Sequence, residues 1–355
     1  SNDGDGSLQK KLNNENNIFT NEKINKDDIA CILYTSGTTG KSKGAMITHK
    51  NLSSNALTLV KSWGFTSKDK LLHALPIFHV HGLFVAINTI LLSGGSILFF
   101  KKFDTEEVIE NLPLVTSMMG VPTFYSRLVS NKNFNKNISK HIRVFISGSA
   151  PLSVDIHNKF KEISSHDILE RYGMTETGMI TSNPYNGEKK PGTVGFPLEN
   201  ITVRICNPGS GKLMPDGEIG VIEVKGPNVF KGYWKMPERT KNEFRADGYF
   251  ITGDLGYIDP DGYVCISGRD KDLIISGGLN IYPAEIENAL DTIDIIKESA
   301  VIGLSHLDFG EAVTAIVVVN NKNQFNEKSI INSLSKILAK FKLPKNLIVV
   351  DELPR

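Results

Sequence analysis

The stretch Tyr34–Gly44, YTSGTTGKSKG, has the composition of a phosphate cradle. From Thr35 to Gly44 it carries three Gly, three Thr, two Ser and two Lys, and no large apolar side chain. Glycines let backbone N–H groups approach oxygens, hydroxyls donate, and lysines cancel charge. A flexible surface turn has the same composition. The Walker spacing is excluded, because a G-x-x-x-x-G-K-[ST] loop ending at Gly40-Lys41-Ser42 needs glycine at position 35, which is threonine. A second stretch, Ser147-Gly148-Ser149-Ala150-Pro151, offers small residues against which a flat ring can lie, although an ordinary turn with Pro151 opening a helix fits equally. Next comes Glu170-Arg171-Tyr172-Gly173-Met174-Thr175-Glu176-Thr177. Here Tyr172 can stack on a base, Thr175 can bond phosphate and Glu176 can hold Mg²⁺ through oxygen. Glu176 taken alone is as readily a cap or a surface residue. Last come Thr252-Gly253-Asp254 and Gly268-Arg269-Asp270-Lys271-Asp272. An Asp at a strand end can take both hydroxyls of a ribose, and Arg269 can add a donor to the same sugar or a phosphate. A plain turn role is the alternative for Asp254.

The elements needed to position these side chains are legible in the pattern. Ile29–Leu33 reads as a buried strand entering the loop, and Thr48 as the cap of a helix over about 49–62. Short apolar strands at 71–75, 96–100, 114–118 and 142–147 alternate with helix-length segments near 82–92, 104–111 and 122–130. This predicts an α/β fold with a parallel sheet flanked by helices, whose ligands gather beyond the carboxyl ends of the strands. After about Gly192, strands at 201–205, 221–224, 249–252 and 263–267 are split by Asn-Pro-Gly-Ser, Pro-Asp-Gly and Asp-Pro-Asp-Gly turns, which predicts a small barrel or sheet. A compact α+β texture follows, with helices at about 283–290 and 327–340 around strands 298–304 and 314–319. The expected organisation is a linker over 1–27, a large domain over 28–269 and a small C-terminal domain over 270–355.

Composition limits the function classes. The 355 residues suffice for a large core and two domains. Lys+Arg 40 against Asp+Glu 39 gives a net charge of +1, so no global field favours nucleic acid or an anionic membrane. The longest apolar stretch, 83–92, is too short to span a bilayer. Cys31, Cys206 and Cys265 lack metal or disulfide spacing, which suits a reducing compartment such as the cytoplasm. A mitochondrial matrix location stays open, and no oligomeric state follows from the sequence.

The ordered set YTSGTTG-x-x-KG, S-G-S-A-P, YGMTET, TGD and GR-x-x-D-x-I-x-x-x-G resembles the adenylate-forming superfamily of acyl-CoA synthetases, peptide adenylation domains and firefly-type luciferases. The resemblance runs from about Asp28 to Arg355. It implies that Thr35, Ser36, Gly37, Thr38, Thr39 and Gly40 wrap the β- and γ-phosphates of ATP, with Lys43 as charge partner. Ser149 and Ala150, with Glu170, Arg171 and Tyr172, would sandwich adenine, while Thr175 meets the α-phosphate and Glu176 the magnesium. Asp254 and Arg269 would bind ribose. Lys271 would be the hinge about which a mobile small domain turns between half-reactions, and Ser276-Gly277-Gly278 would line the tunnel for the pantetheine of CoA. In the first half-reaction a carboxylate attacks the α-phosphate; in the second a thiol displaces AMP. Two departures mark the chain as an expected internal fragment. The large portion that precedes the phosphate loop in the family is absent, as is the late catalytic lysine that follows a segment like Glu352-Leu353-Pro354-Arg355.

Two stretches narrow the acid. By the resemblance, ERYGMTETGMITSNPY puts Arg171 beside the adenine and acyl sites, and Pro76-Ile77-Phe78-His79-Val80-His81-Gly82 puts two imidazoles where the family lines its acyl pocket. Arginine and histidine suit a second carboxylate, whereas a fatty-acyl pocket would only incur the desolvation cost of a buried guanidinium. Both stretches, with ILYTSGTTGKSKGAMITHKNLSSNAL, are similar to malonyl-CoA synthetases. The alternatives are a structural ion pair for Arg171, a tunnel-lining role for His79 and a core role for His81. At the level of function they are a short- or medium-chain fatty acyl-CoA ligase or a non-catalytic nucleotide-binding module.

Overall fold

The computed structural model describes residues 20–35, 42–276, 279–306 and 310–353. Its first element departs from expectation. Strand β1 (Ile29–Thr35) forms, but it runs antiparallel to β2 (Lys43–Thr48), with Tyr34 opposite Gly44 and Thr35 opposite Lys43. It is largely half-exposed rather than buried, and the two strands make a sheet of their own. The chain therefore turns back on itself as a hairpin after β1, and β2 stands between β1 and the following helix. The cause is long-range pairing. Lys231–Trp234 runs along β2, with Met46 N donating to Gly232 O (2.9 Å), Lys231 N to Met46 O (3.0 Å) and Trp234 N to Gly44 O (2.8 Å). That partner lies far along the chain, so no local pattern announces the strand. Of the loop itself, Ser36, Gly37, Thr38, Thr39 and Gly40 lie outside the described residues.

Helix α1 (His49–Ser62) starts where Thr48 places it. The Thr48 hydroxyl accepts from Asn51 N at 3.1 Å, and the Asn51 side-chain oxygen accepts from Thr48 N at 2.9 Å, a capping box with asparagine in the acidic position.

The main sheet has seven strands. Strands β3 (Lys70–His73), β4 (Ser96–Phe99), β5 (Ser117–Gly120), β6 (Val144–Ser147) and β7 (Ile168–Met174) are parallel in the order β4-β3-β5-β6-β7. Strands β8 (Gly178–Ser182) and β9 (Phe196–Pro197) extend it antiparallel. Its helices are α2 (Ile87–Leu92), which continues a π-helical turn over His81–Ala86, then α3 (Thr105–Asn111), α4 (Pro122–Val129), α5 (Lys136–Ser139) and α6 (Val154–Ser164). Leu71, Leu72, Met118, Met119, Phe145, Ile146, Ile168 and Leu169 are fully buried, which is why the parallel strands read as unbroken apolar runs. Asp69 and Arg143, just before β3 and β6, fix the opposite end of the sheet. Arg143 Nε donates to Asp69 Oδ1 at 2.6 Å and Nη2 to Oδ2 at 3.1 Å, while Nη1 reaches Trp63 O at 2.8 Å. The carboxyl ends of the strands are thereby set level on the side where Pro76–His81 and Ser147–Pro151 emerge.

Of the two forms expected after Gly192, the structure has the sheet. Strands β10 (Thr202–Cys206), β11 (Gly220–Lys225), β12 (Phe250–Ile258) and β13 (Val264–Arg269) form an antiparallel meander in chain order, with α7 (Pro237–Asn242) between the middle two. Asp270–Asp272, which includes Lys271, is a short 3₁₀ turn after β13. Beyond it, β14 (Ile274–Ser276), β15 (Leu279–Ile281), β16 (Ile296–His306), β17 (Gly310–Val319) and β18 (Asn346–Val350) make a separate five-stranded sheet with α8 (Pro283–Asp291) and α9 (Glu327–Leu334). This part has its own core, in which Ile286, Leu290, Val313, Val317, Ile330 and Leu334 are buried. Helix α9 ends at Leu334, short of the expected 340. Among the described residues no helix is long and apolar enough to cross a membrane.

Candidate functional site

Strand β7 distributes its side chains to the two faces of the sheet, because alternate residues of a strand face opposite ways. Glu170 and Tyr172 share one face and Arg171 takes the other. On the first face Tyr172 Oη donates to Asp254 Oδ2 at 2.5 Å, and Arg269 Nε lies 3.2 Å from Asp254 Oδ1. Asp254 and Arg269 stand opposite one another on β12 and β13, so the meander positions this pair and β7 brings the phenol to it. An ionised carboxylate has about four acceptor sites on its two oxygens, the chemistry that a vicinal diol calls for. Glu170 is turned into α6, its Oε1 3.4 Å from His157 Nδ1, and burial raises its carboxyl above the usual range. Ser149 and Ala150 follow β6 and are exposed. Ser149 holds φ of 72°, a left-handed conformation uncommon for a residue other than glycine.

Between the hairpin and β8 a second arrangement forms. Lys43 Nζ donates to Tyr233 Oη at 3.3 Å, and Tyr233 Oη donates to Glu176 Oε1 at 2.9 Å. The ammonium also sits 4.6 Å from the centre of the Tyr233 ring and 3.9 Å from Glu243 Oε1. Glu176 is buried and has no cation as a partner among the described residues. A buried carboxylate without a countercharge fits a divalent cation. No cluster of three or more His, Cys, Asp or Glu is found among the described residues. A hard ion here would take one carboxylate from Glu176 and its other oxygens from phosphate and water. Thr175, half-buried, adjoins Glu176 in the same turn. Thr35 Oγ1, at the end of β1, is buried without a partner.

On its other face β7 aims Arg171 into the space at the carboxyl ends of β3 and β6. Arg171 is 3% exposed, and its Nε and Nη2 have no hydrogen-bond partner. The ion-pair alternative finds no carboxylate among the described residues. Burial pulls the guanidinium down to about 9, so it remains a cation at neutral pH. It lies directly against Gly148, where an added Cβ would come within 2.4 Å of Arg171 Cζ. Gly148→Ala should therefore cost about 1–3 kcal/mol by overpacking, read as a lowered urea midpoint.

His81 joins Arg171 here. It is buried, its Nδ1 is 3.1 Å from Ser149 Oγ, and its Nε2 has no partner. Burial and the Arg171 charge hold its imidazole well below the usual range. His79 is exposed, its ring 4.5 Å from that of Phe78, so of the two expected imidazoles only His81 is enclosed. A third one, His73, is fully buried at the end of β3 with neither ring nitrogen bonded. Burial pulls His73 down to about 4. Between that value and about 6.5 the unfolded chain carries a proton that the folded chain does not. Stability should fall as pH drops through this window, by about 3 kcal/mol from His73, and His73→Phe should flatten the dependence of the urea midpoint on pH.

Sequence reasoning missed Tyr233, Glu243 and His73. The only local sign of Tyr233 is the aromatic pair Tyr233-Trp234 after a glycine. His73 had a clearer one, a lone polar residue inside the apolar run Leu71-Leu72-His73-Ala74-Leu75. Gly277 and Gly278 lie outside the described residues.

Comparison with known proteins matches the description AMP-binding enzyme over residues 2–234 and AMP-binding enzyme C-terminal domain over 285–355. The crystal structure of ATP-bound MatB from Rhodopseudomonas palustris superposes with a TM-score of 0.97 at 54% identity, covering 99% of this chain and 70% of that one. A malonate–CoA ligase of Arabidopsis thaliana is 38% identical over 93% of this chain and 59% of its own length. A long-chain-fatty-acid–CoA ligase of Bacillus subtilis is 36% identical over 95% and 61%. The chain thus spans about three fifths of the length of these curated relatives.

Proposed function

Because the chain belongs to the AMP-binding enzyme family, we propose that the protein joins malonate to CoA through malonyl-adenylate, releasing pyrophosphate and then AMP. The observation that carries the choice of acid is Arg171, a buried cation with unbonded N–H groups and no protein carboxylate to pair with. Leaving a guanidinium so is costly unless a ligand supplies the missing carboxylate. Malonate does so with the carboxylate that does not react.

We assign the other residues the roles that the family resemblance implies. Tyr172 and the Ser149–Ala150 turn hold adenine, and Asp254 with Arg269 takes the ribose hydroxyls. Lys43 and the loop from Thr35 to Gly40 hold the β- and γ-phosphates, and Thr175 donates to the α-phosphate. Bound Mg²⁺, held by Glu176, would lower the repulsion between two anions and offset charge on the leaving pyrophosphate. No general base is required, because malonate is ionised near neutral pH. One carboxylate oxygen forms a bond to the α-phosphorus, and the bond from that phosphorus to pyrophosphate breaks. Lys43 stabilises the charge that develops on the departing oxygens. In the second half-reaction the thiol sulfur of CoA bonds to the acyl carbon, and AMP leaves as the thiol proton is lost. A turn about Lys271 would bring Ser276, Gly277 and Gly278 to the pantetheine arm.

Fatty-acid ligation is the competing reading, favoured by the relative from Bacillus subtilis. The two are separated by measuring pyrophosphate release from the full-length protein with malonate and with butyrate. Malonate is expected to be preferred by about a hundredfold or more in kcat/KM, the scale on which a site built for a polar group rejects an analogue lacking it. Equal rates, or a preference for butyrate, would remove the dicarboxylate reading.

A further inference from the structure

We propose that His73 is a further specificity-determining residue, a neutral hydrogen-bond donor that joins Arg171 and His81 in holding the carboxylate of malonate that does not react. The inference rests on the malonate reading above.

The first argument is that His73 has no structural task that an apolar residue could not perform better. It is 0% exposed, both ring nitrogens lack partners, and its ring meets Phe99 edge-on with centroids 4.9 Å apart. Each unbonded buried polar atom costs about 1–3 kcal/mol, so phenylalanine or leucine would be the cheaper occupant of this strand.

The second argument is position. Leu72 is level with Met118 across β3 and β5, which sets His73 level with Met119; Met119 is level with Ile146, and Ile146 with Leu169. Leu169 and Arg171 are two apart on β7 and share a face, so His73 and Arg171 project from the same side of the sheet. The contact of the Arg171 guanidinium with Gly148, two residues beyond Ile146, agrees with that assignment. The charges of Arg171, His73 and His79 all bear on His81, so these groups occupy one neighbourhood at the strand ends.

The third argument is chemical. Five buried nitrogens of His73, His81 and Arg171 are without partners. A carboxylate has about four acceptor positions on two oxygens and can answer several of them at once. A neutral imidazole adds a donor without placing a second buried positive charge beside Arg171, which would oppose it.

The test is steady-state pyrophosphate release by full-length wild type, His73→Phe and His73→Gln, with malonate and butyrate, alongside thermal melting. In His73→Phe the KM for malonate is expected to rise about tenfold or more, with kcat and the KM for butyrate within about threefold of wild type. His73→Gln, which keeps a donor, should recover part of the malonate affinity. His73→Leu gives the same readout should the phenylalanine variant fail to fold. A malonate-to-butyrate ratio unchanged in folded apolar variants, in a wild type that prefers malonate, overturns the role of His73 alone. A wild type without that preference overturns the malonate reading itself.

Discussion

Glu176→Gln is expected to lower the rate of acid-dependent ATP–pyrophosphate exchange by about 10²–10³-fold, the scale seen when one preorganised charge-stabilising group is removed. Glutamine keeps the size of the side chain and can still accept from Tyr233 Oη, so the 2.9 Å bond should survive. What disappears is the negative charge, and with it the only protein carboxylate proposed for the metal. The loss should fall mainly on kcat, with a higher Mg²⁺ concentration needed for half-activation. Melting without nucleotide should be unchanged or slightly raised, because a buried carboxylate with no cation partner has been neutralised. Exchange that stays within threefold of wild type would show that Glu176 does not hold the metal.

Arg171→Ala should separate malonate from monocarboxylic acids. Removing the guanidinium takes from the non-reacting carboxylate of malonate its buried countercharge, at a cost of about 3–5 kcal/mol, or 10²–10⁴ in kcat/KM. Butyrate has no carboxylate there and should lose less than about threefold. Equal losses for both acids would place Arg171 in general adenylate binding. That outcome is unexpected, because Arg171 points away from Tyr172 and the Asp254–Arg269 pair.

Much of the fold was legible. The parallel strands are short apolar runs between helix-length segments, and burial on both faces is what writes such runs into a sequence. Thr48 marked the start of α1, because capping is a contact between near neighbours, here completed by Asn51. Strand β2 was not legible. Its second pairing partner is Lys231–Trp234, and a local window over Gly44–Thr48 contains nothing of that contact. The same limit hid Tyr233, which joins the hairpin lysine to the carboxylate after β7 only because the chain returns there.

The sequence by itself determined the chemical groups: a Gly/Ser/Thr loop with lysines, an arginine before Tyr172 and a carboxylate after it, Asp254 and Arg269, and two histidines within 76–82. It did so because those residue types and their order along the chain are local facts. Only the tertiary structure decided which groups are neighbours. Alternation on β7 sends Tyr172 to Asp254 and Arg171 to His81, the hairpin carries Lys43 to Tyr233, and the sheet register sets His73 on the face of Arg171. Those assignments rest on strand register and on contacts between distant segments, which burial and backbone pairing fix only once the chain has folded.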